Sequence, residues 1–334
     1  MNAQSPLAVT MGDPAGCGPA ITRAAWAALR REGGRPFFLV GAASAFQGAD
    51  DIRPIETPGD AAAVFPEALP LLPIAADMPA PNPGHPDPAT AQAIIQSIET
   101  AVALTLEGAA AAVVTNPISK ALLYDAGFRH PGHTEFLAAL SARPDRPEPK
   151  PVMMLVGGGL RVALATIHAP LIDAAKSLSQ DGLTAIGRIT AQAVDRDFGL
   201  AAPRLAFTGL NPHAGEGGAL GCEEIEIINP AAATLRAEGI DMSDARPADT
   251  VFAEALDGRF DAVIAMTHDQ GLIPVKTLDF WGGVNVTLGL PIIRTSPDHG
   301  VAYDAAAKGA ARPDSLIAAI RLADSLAARR MDAA

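Results

Sequence analysis

Short apolar runs alternate with longer alanine-rich stretches along most of this chain, and this alternation constrains its fold more than any other feature. The apolar runs, each short enough for a buried strand, are residues 7–10, 37–40, 111–115, 151–156, 161–166, 204–210 and 262–266. The stretches of helical length and composition are residues 20–31, 90–107, 182–198 and 230–238. Strands that alternate with helices are typical of an α/β fold with a largely parallel sheet.

One segment departs from this alternation. Residues 152–156 and 160–166 are both strand-like, and three consecutive glycines separate them. A tight glycine turn between two apolar runs predicts an antiparallel hairpin, and therefore a mixed sheet. The loop that precedes the hairpin, residues 143–151, is rich in proline, as is the loop of residues 79–88. We expect a domain boundary near residues 143–151, because proline at this density excludes regular structure.

Composition excludes several classes of protein. The 334 residues, of which 49% are apolar and 19% charged, can build one large or two ordinary domains and are not disordered. A net charge of −12 argues against nucleic-acid or anionic membrane partners, because neutralising phosphates requires a basic face. Two cysteines, Cys17 and Cys222, are too few for a disulfide framework or a CxxC site. Without a targeting segment or an apolar run of about 18 residues, the sequence predicts a cytoplasmic protein.

Three of the seven histidines follow strand-like runs. His168, His213 and His268 end the segments VALATIH, LAFTGLNPH and AVIAMTH. Ligands collect at the carboxyl ends of strands in open α/β sheets, so three imidazoles delivered there can converge on one divalent metal ion. A histidine after a strand is also a common structural residue. His168 and His213 are 45 positions apart, and His213 and His268 are 55 positions apart. Only the folding of the chain can therefore bring the three histidines together.

The segment NPHAGEGG surrounds His213 with glycines, which let the backbone approach a ligand closely or simply turn. Three acidic residues follow it, namely Glu223, Glu224 and Glu226. Acidic side chains stabilise the positive end of the helix dipole. We therefore interpret this acidic cluster as a helix start rather than a metal site.

Two groups of residues are candidates for anion binding. His133 and Thr134 open a predicted helix beside Gly132, where side chains and backbone N–H groups can bind a phosphate or carboxylate; Thr134 can equally be an ordinary helix cap. Lys276, Asn285 and Arg294 supply two cations and an amide in a stretch otherwise short of charge. An arginine among apolar residues needs an anionic partner, and both Asp298 and a substrate are open alternatives.

The loop GDPAGCGP, residues 12–19, follows a strand and precedes a helix, where phosphate loops occur. It lacks the Lys-Ser/Thr pair of a Walker motif, and Ile21 stands where the last glycine of a dinucleotide fingerprint belongs. A nucleotide cofactor must therefore bind outside the Rossmann scheme.

Seven motifs occur together over nearly the whole chain: GDPAGCGP, TNPISK, GHTEFLA, ATIHAPL, GLNPHAGEGG, MTHDQGLIPVK and GVNVTLGLPIIRTSPDHG. In combination they resemble the 4-hydroxythreonine-4-phosphate dehydrogenase family of vitamin B6 biosynthesis. The resemblance implies an α/β, isocitrate/isopropylmalate dehydrogenase-like fold, in which two α/β lobes with a mixed sheet flank a cleft. The cofactor lobe would comprise residues 1–130 and 290–334. Residues 131–289 would form the lobe for metal, substrate and dimerisation.

The resemblance also implies cofactors and partners. These are NAD or NADP, one divalent ion per site (Zn, Mg or Co), and a homodimer with its active site at the interface, where a metal-ligating histidine comes from the partner chain. Carried over by motif, the metal ligands are His168, His213 and His268. The substrate contacts are His133, Thr134, Lys276, Asn285 and Arg294. Residues 299–309 resemble the cofactor loop of β-decarboxylating dehydrogenases, which implies cofactor contacts at His299, Gly300 and Asp304. Asp249 and Lys276 are candidates for proton transfer.

The reaction implied is oxidation of the C3 hydroxyl of 4-phosphooxy-L-threonine to 2-amino-3-oxo-4-phosphooxybutanoate, which decarboxylates to 3-amino-2-oxopropyl phosphate. Dehydrogenases of threonate or erythronate 4-phosphate share most of these motifs and are an alternative. A metal-dependent hydrolase, a non-catalytic anion-binding protein and an acyl-phosphate transferase are further alternatives. The HDQG and NPHAGEGG motifs argue against the last of these.

Overall fold

The computed structural model describes residues 5–46, 49–125, 127–130, 132–143, 145 and 148–332. Its strands are β1 (Leu7–Thr10), β2 (Phe37–Gly41), β3 (Ile52–Pro54), β4 (Leu69–Pro73), β5 (Val113–Val114), β6 (Val152–Gly157), β7 (Leu160–Leu164), β8 (Leu205–Thr208), β9 (Met242–Arg246), β10 (Ala262–Ala265), β11 (Val284–Leu288) and β12 (Arg294–Pro297). Its α-helices are α1 (Gly18–Leu29), α2 (Ala61–Val64), α3 (Ala91–Leu106), α4 (Lys120–Asp125), α5 (His133–Leu140), α6 (Leu171–Ser177), α7 (Gln180–Arg196), α8 (Asn229–Ala237), α9 (Val251–Leu256), α10 (His268–Leu278), α11 (Tyr303–Ala307) and α12 (Asp314–Asp332).

Contacts within the chain group the described residues into two compact units. The first contains residues up to Pro151 together with Leu290–Met331, and the second contains Val152–Gly289. The lobe boundaries that we expect after residues 130 and 289 stay a prediction, because a grouping of contacts does not by itself define a folding domain. The proline-rich loop in which we expect the boundary contains residues 144, 146 and 147, which lie outside the described residues. Residues 1–4, where we expect no targeting segment, lie outside the described residues as well.

The first unit is built on parallel strands in the order β3-β4-β2-β1-β5-β12. Strands β1 and β2, with sequences LAVT and FFLVG, are buried at every residue. Such continuous apolar runs are typical of parallel strands covered on both faces. The register sets Arg294, the first residue of β12, beside Val113 of β5. Arg294 therefore lies close to the carboxyl end of β5.

The second unit is built on a mixed sheet in the order β11-β6-β7-β10-β8-β9. Strands β6 and β7 form the expected antiparallel hairpin, with Gly157 paired to Leu160. The two residues between them, Gly158 and Gly159, have φ values of 58° and 88°, as a two-residue hairpin turn requires. The expected mixed sheet is thus confirmed.

Three parallel strands of this second sheet lie side by side. Strand β10 pairs with β7 on one edge and with β8 on the other. Their carboxyl ends therefore meet at the same edge of the sheet, where they lead into the segments of His268, His168 and His213. Among the described residues, no helix combines the length and apolar composition that a membrane crossing requires.

Candidate functional site

Two of the three strand-end histidines lie close together. The ring centroids of His168 and His268 are 5.5 Å apart, with an angle of 46° between the ring planes. Both rings line a cavity of about 430 Å³, together with Thr166, Ile167, Ala169, Leu171, Ala174, Thr267 and Asp269. His268 begins α10, and its Nδ1 atom lies 2.8 Å from Oδ1 of Asp269. A carboxylate on Nδ1 orients the imidazole and leaves Nε2 for a ligand.

The spacing of this histidine pair fits a metal ion. Imidazoles on a tetrahedral ion, at metal–nitrogen distances near 2.0–2.1 Å, place their ring centroids roughly 5 Å apart. Within the described part of the chain, no group of three histidine, cysteine or acidic side chains is arranged to hold an ion. The described residues of one chain therefore bring two imidazoles to a spacing that suits a shared ion, without a third donor beside them.

His213 lies apart from the cavity lining, on the loop Pro212–Gly218. Five consecutive residues of this loop, from His213 to Gly217, have positive φ values between 45° and 78°. Three of them are not glycine, and side chains disfavour this left-handed conformation by roughly 1–2 kcal/mol per residue. The His213 side chain is exposed. Strained backbone of this kind is found mostly at functional sites, where the surrounding structure enforces it.

A buried cationic cluster forms in the first unit. Arg294 is only 4% exposed, and its Nε and Nη2 atoms donate to Oγ1 of Thr115 at 3.0 and 2.6 Å. Burial lowers the pKa of the Arg294 guanidinium to about 10. The Thr115 hydroxyl is neutral, so it accepts hydrogen bonds from the Arg294 guanidinium without balancing its positive charge.

His133 lies in the same cluster, at the first position of α5. Its Nε2 atom is buried and has no hydrogen-bond partner. Burial, followed by the positive charges of Arg294 and Lys120, holds the pKa of His133 well below its usual value of 6.5. Buried polar atoms are rarely left unpaired. An unpaired imidazole nitrogen among positive charges therefore points to an anion as the missing partner.

The other predicted substrate residues have different surroundings. Thr134 is not the cap of α5, because Gly132 occupies that position without a side-chain hydrogen bond. Asn285 is half-buried in β11, and its Oδ1 atom has no hydrogen-bond partner. Nζ of Lys276 lies 5.6 Å from the ring centroid of Phe280. Asp249 is exposed just before α9, outside the cavity of the histidine pair.

The predicted cofactor segment is exposed at His299, Gly300 and Asp304, and its backbone is anchored to the loop GDPAGCGP. The N–H of Cys17 donates to the carbonyl of Val301 at 2.9 Å. The Tyr303 hydroxyl donates to Oδ2 of the fully buried Asp13 at 2.5 Å. Desolvation, with the hydrogen bond to Asp13 as a second cause, raises the pKa of Tyr303 to about 12. The glycine-rich loop therefore packs against residues 301–303 and holds them in place.

The comparison with known proteins decides the family. A family model described as pyridoxal phosphate biosynthetic protein PdxA matches residues 36–323. The chain belongs to the PdxA family.

Individual relatives agree with this assignment. The chain is 54% identical over 332 residues to a 4-hydroxythreonine-4-phosphate dehydrogenase of Caulobacter vibrioides, covering 97% of this chain and 98% of the relative. A solved 4-hydroxythreonine-4-phosphate dehydrogenase from Klebsiella pneumoniae is 38% identical, with a TM-score of 0.86 over 97% of this chain and 99% of that chain. A β-decarboxylating dehydrogenase from Thermococcus kodakarensis, 15% identical, shares the fold, with a TM-score of 0.50 over 96% of this chain and 83% of that chain. The resemblance and the fold expected from the motifs are confirmed.

In this PdxA-family chain, a polar layer connects the ends of the three strands that precede the histidines. Oε1 of Gln270 accepts from the Thr208 hydroxyl at 2.7 Å and from the N–H of Met266 at 2.9 Å. Its Nε2 atom donates to the carbonyl of Gly209 at 2.8 Å. The Thr166 hydroxyl donates to the carbonyl of Met266 at 2.8 Å. The residue-by-residue interpretation of the sequence did not include these side chains, although Gln270 stands in the HDQG motif.

The lowered pKa of His133 predicts a pH dependence of stability. Below about pH 6.5 the unfolded chain takes up a proton on His133 that the folded chain does not, so the folded state loses stability as the pH falls. The loss amounts to at most about 1.4 kcal/mol per pH unit. His133→Gln removes this contribution. In phosphate-free buffer, we expect the urea midpoint to fall less between about pH 7.5 and 5.5 in the variant than in the wild type. Parallel decreases in both proteins would contradict the assignment.

Proposed function

We propose that this chain is a 4-hydroxythreonine-4-phosphate dehydrogenase. It would oxidise 4-phosphooxy-L-threonine with NAD, or NADP, to 2-amino-3-oxo-4-phosphooxybutanoate, which then decarboxylates to 3-amino-2-oxopropyl phosphate. The observation that carries the proposal is the buried Arg294 guanidinium beside the unpartnered Nε2 atom of His133, because the substrate brings both a phosphate and a carboxylate. The names of relatives such as that of Caulobacter vibrioides, 54% identical, support the same reaction.

The substrate would be held by charge and by directed hydrogen bonds. Arg294 supplies a forked, positively charged donor that matches a phosphate or carboxylate, whereas His133 stays neutral and offers its unpaired Nε2 atom. Thr134, Lys276 and Asn285 are the further proposed contacts. We propose that Lys276 and Asp249 transfer the proton that the substrate hydroxyl loses and the proton that the decarboxylation product gains.

The histidine pair would hold a divalent ion, Zn, Mg or Co, with His213 as the third protein ligand. Such an ion, when bound, lowers the pKa of a substrate hydroxyl and polarises a carbonyl group. Asp269 would keep the His268 ring in the orientation that ligation requires. Residues 299–304, held by the Cys17–Val301 backbone hydrogen bond and by the hydrogen bond from the Tyr303 hydroxyl to Asp13, would bind the cofactor through His299, Gly300 and Asp304.

We also propose that the chain forms a homodimer in which a second copy supplies His213. Large apolar side chains stay exposed in the second unit: Leu171 and Ile172 are 70% and 67% exposed, and Phe280 and Trp281 are 62% and 50% exposed. Exposed apolar side chains of this size favour burial against another protein surface. Leu171 also lines the cavity of the histidine pair, so a surface that covers it would approach both rings.

A substrate assay tests the proposed reaction. We expect the metal-loaded protein to reduce NAD with 4-phosphooxy-L-threonine and to release CO₂ in equal amount. Removal of the metal by a chelator should abolish both signals. Turnover of threonate or erythronate 4-phosphate alone would contradict the proposed substrate. Release of inorganic phosphate without NAD reduction would favour a hydrolase.

Replacement of Arg294 by lysine separates substrate binding from structural support. A lysine cannot copy a forked contact to an anion, so we expect the KM for the phosphorylated substrate to rise about 10- to 100-fold. Because the Arg294 side chain is buried, we also expect some loss of stability. Arg35→Lys is the matched control, since Arg35 pairs with Asp324. The control should lose stability with an unchanged KM. An unchanged KM in both variants would make Arg294 purely structural.

Complementation tests the shared site. We expect His168→Ala and His213→Ala homodimers to be inactive. In a mixed dimer, the intact His168 and His268 of one chain meet the intact His213 of the other, which restores one of the two sites. Isolated heterodimers should therefore have up to half of the wild-type activity, and an equimolar exchange mixture up to about a quarter, because only half of its dimers are heterodimers. Failure to recover activity in isolated heterodimers would place all three ligands in one chain.

A further inference from the structure

Glu224 is a buried carboxylate that the proposed reaction does not use. Its side chain is 2% exposed, whereas the next residue, Ile225, is 53% exposed and Glu226 is exposed as well. Glu224 begins the π-helical turn Glu224–Ile228, so its position agrees with the helix start expected from the sequence. The interpretation as a helix start does not explain why the Glu224 side chain points into the protein. A carboxylate that only interacted with a helix dipole would stay in water, because burying an ionised group is costly without compensating hydrogen bonds.

The compensating hydrogen bonds come from the start of the His213 loop. Oε1 of Glu224 accepts from the backbone N–H groups of Leu210 and Asn211, both at 2.8 Å. Oε2 accepts from Nδ2 of Asn211 at 3.0 Å. Hydrogen bonds to an ionised acceptor are about twice as strong as those between neutral groups. Glu224 thus fixes the two residues at which the chain leaves β8 and enters the loop.

The loop also packs directly around this carboxylate. A Cβ atom added to Gly215 would lie 2.6 Å from Oε2 of Glu224, and one added to Gly209 would lie 3.2 Å from Oε1. Between these two glycines, His213 and Ala214 adopt φ values of 51°, a left-handed conformation that L-residues avoid without support. Gly209 and Gly215 therefore leave room for the Glu224 carboxylate beside these left-handed residues.

We propose that Glu224 is a positioning residue that holds the left-handed loop in the one conformation that presents His213 to the metal ion. This inference rests on the proposed function, in which His213 is a ligand. Glu224 would not touch the ion itself. Removal of the Glu224 side chain would leave the His213 imidazole chemically intact but without a fixed position.

Cobalt binding to the full-length protein tests this role, because Co²⁺ gives an absorbance signal that does not require turnover. Partners that orient a ligand typically contribute 10- to 100-fold in metal affinity, so we expect a loss of about that size in Glu224→Ala. Glu224→Gln keeps one oxygen acceptor for the two backbone N–H groups and should lose less. Glu226→Ala, on the exposed side of the same turn, is the matched control and should bind Co²⁺ like the wild type.

Two further measurements separate positioning from general stability. In the metal-free protein, the amide protons of Leu210 and Asn211 should exchange faster in Glu224→Ala than in Glu226→Ala. In a His213→Ala background, Glu224→Ala should cause no additional loss of Co²⁺ affinity, since its effect runs through His213. If Glu224→Ala does not fold, Glu224→Gln carries the same comparisons.

The outcomes distinguish this inference from the function on which it rests. If His213→Ala binds Co²⁺ as tightly as the wild type, His213 is not a ligand, and both the proposed metal site and the role of Glu224 are overturned. If His213→Ala loses affinity while Glu224→Ala matches Glu226→Ala, the metal site stands and the positioning role is overturned. An equal loss from Glu224→Ala with and without His213 would also overturn the positioning role.

Discussion

The side-chain amide of Gln270 is the interaction on which the proposed metal site depends. By bonding to Thr208, Met266 and Gly209, it joins the ends of β8 and β10, and Thr166 extends the same layer toward β7. A buried polar layer of this kind is stable only when its members find their partners, so it allows few alternative arrangements of the strand ends. His168 and His268 each follow this layer by two residues, and His213 follows it by four. The sheet therefore sets the positions of His168 and His268, whereas the position of His213 also depends on its loop.

The first unit contributes a different physical feature, a positive charge removed from water before any ligand is present. The Thr115 hydroxyl satisfies two N–H groups of Arg294 without balancing its charge, and Nε2 of His133 lacks a hydrogen-bond partner. Preorganised donors of this kind need little rearrangement when an anion binds. An anion bound here would offset the desolvation that lowers the pKa values of Arg294 and His133, which is the basis on which we propose a phosphorylated substrate.

Sequence patterns predict the parts of this molecule that depend on local composition, such as buried strands, the glycine hairpin and the strand-end histidines. They miss strands whose composition is atypical. Strand β4 reads LPLLP, and the edge strands β3 (IRP) and β9 (MSDAR) contain few buried apolar residues. Patterns also miss contacts between distant residues. Thr115 and Arg294 are 179 positions apart, and the inward turn of Glu224 depends on a loop that precedes it.

The most direct test of the strand-end site is an anomalous diffraction map at the cobalt absorption edge, from crystals of the full-length protein grown with Co²⁺. We expect one peak per chain at about 2 Å from a nitrogen of His168 and a nitrogen of His268 in the same chain. A peak that contacts only one of these two rings, or that lies at other residues, would contradict the assignment of the histidine pair as a metal site.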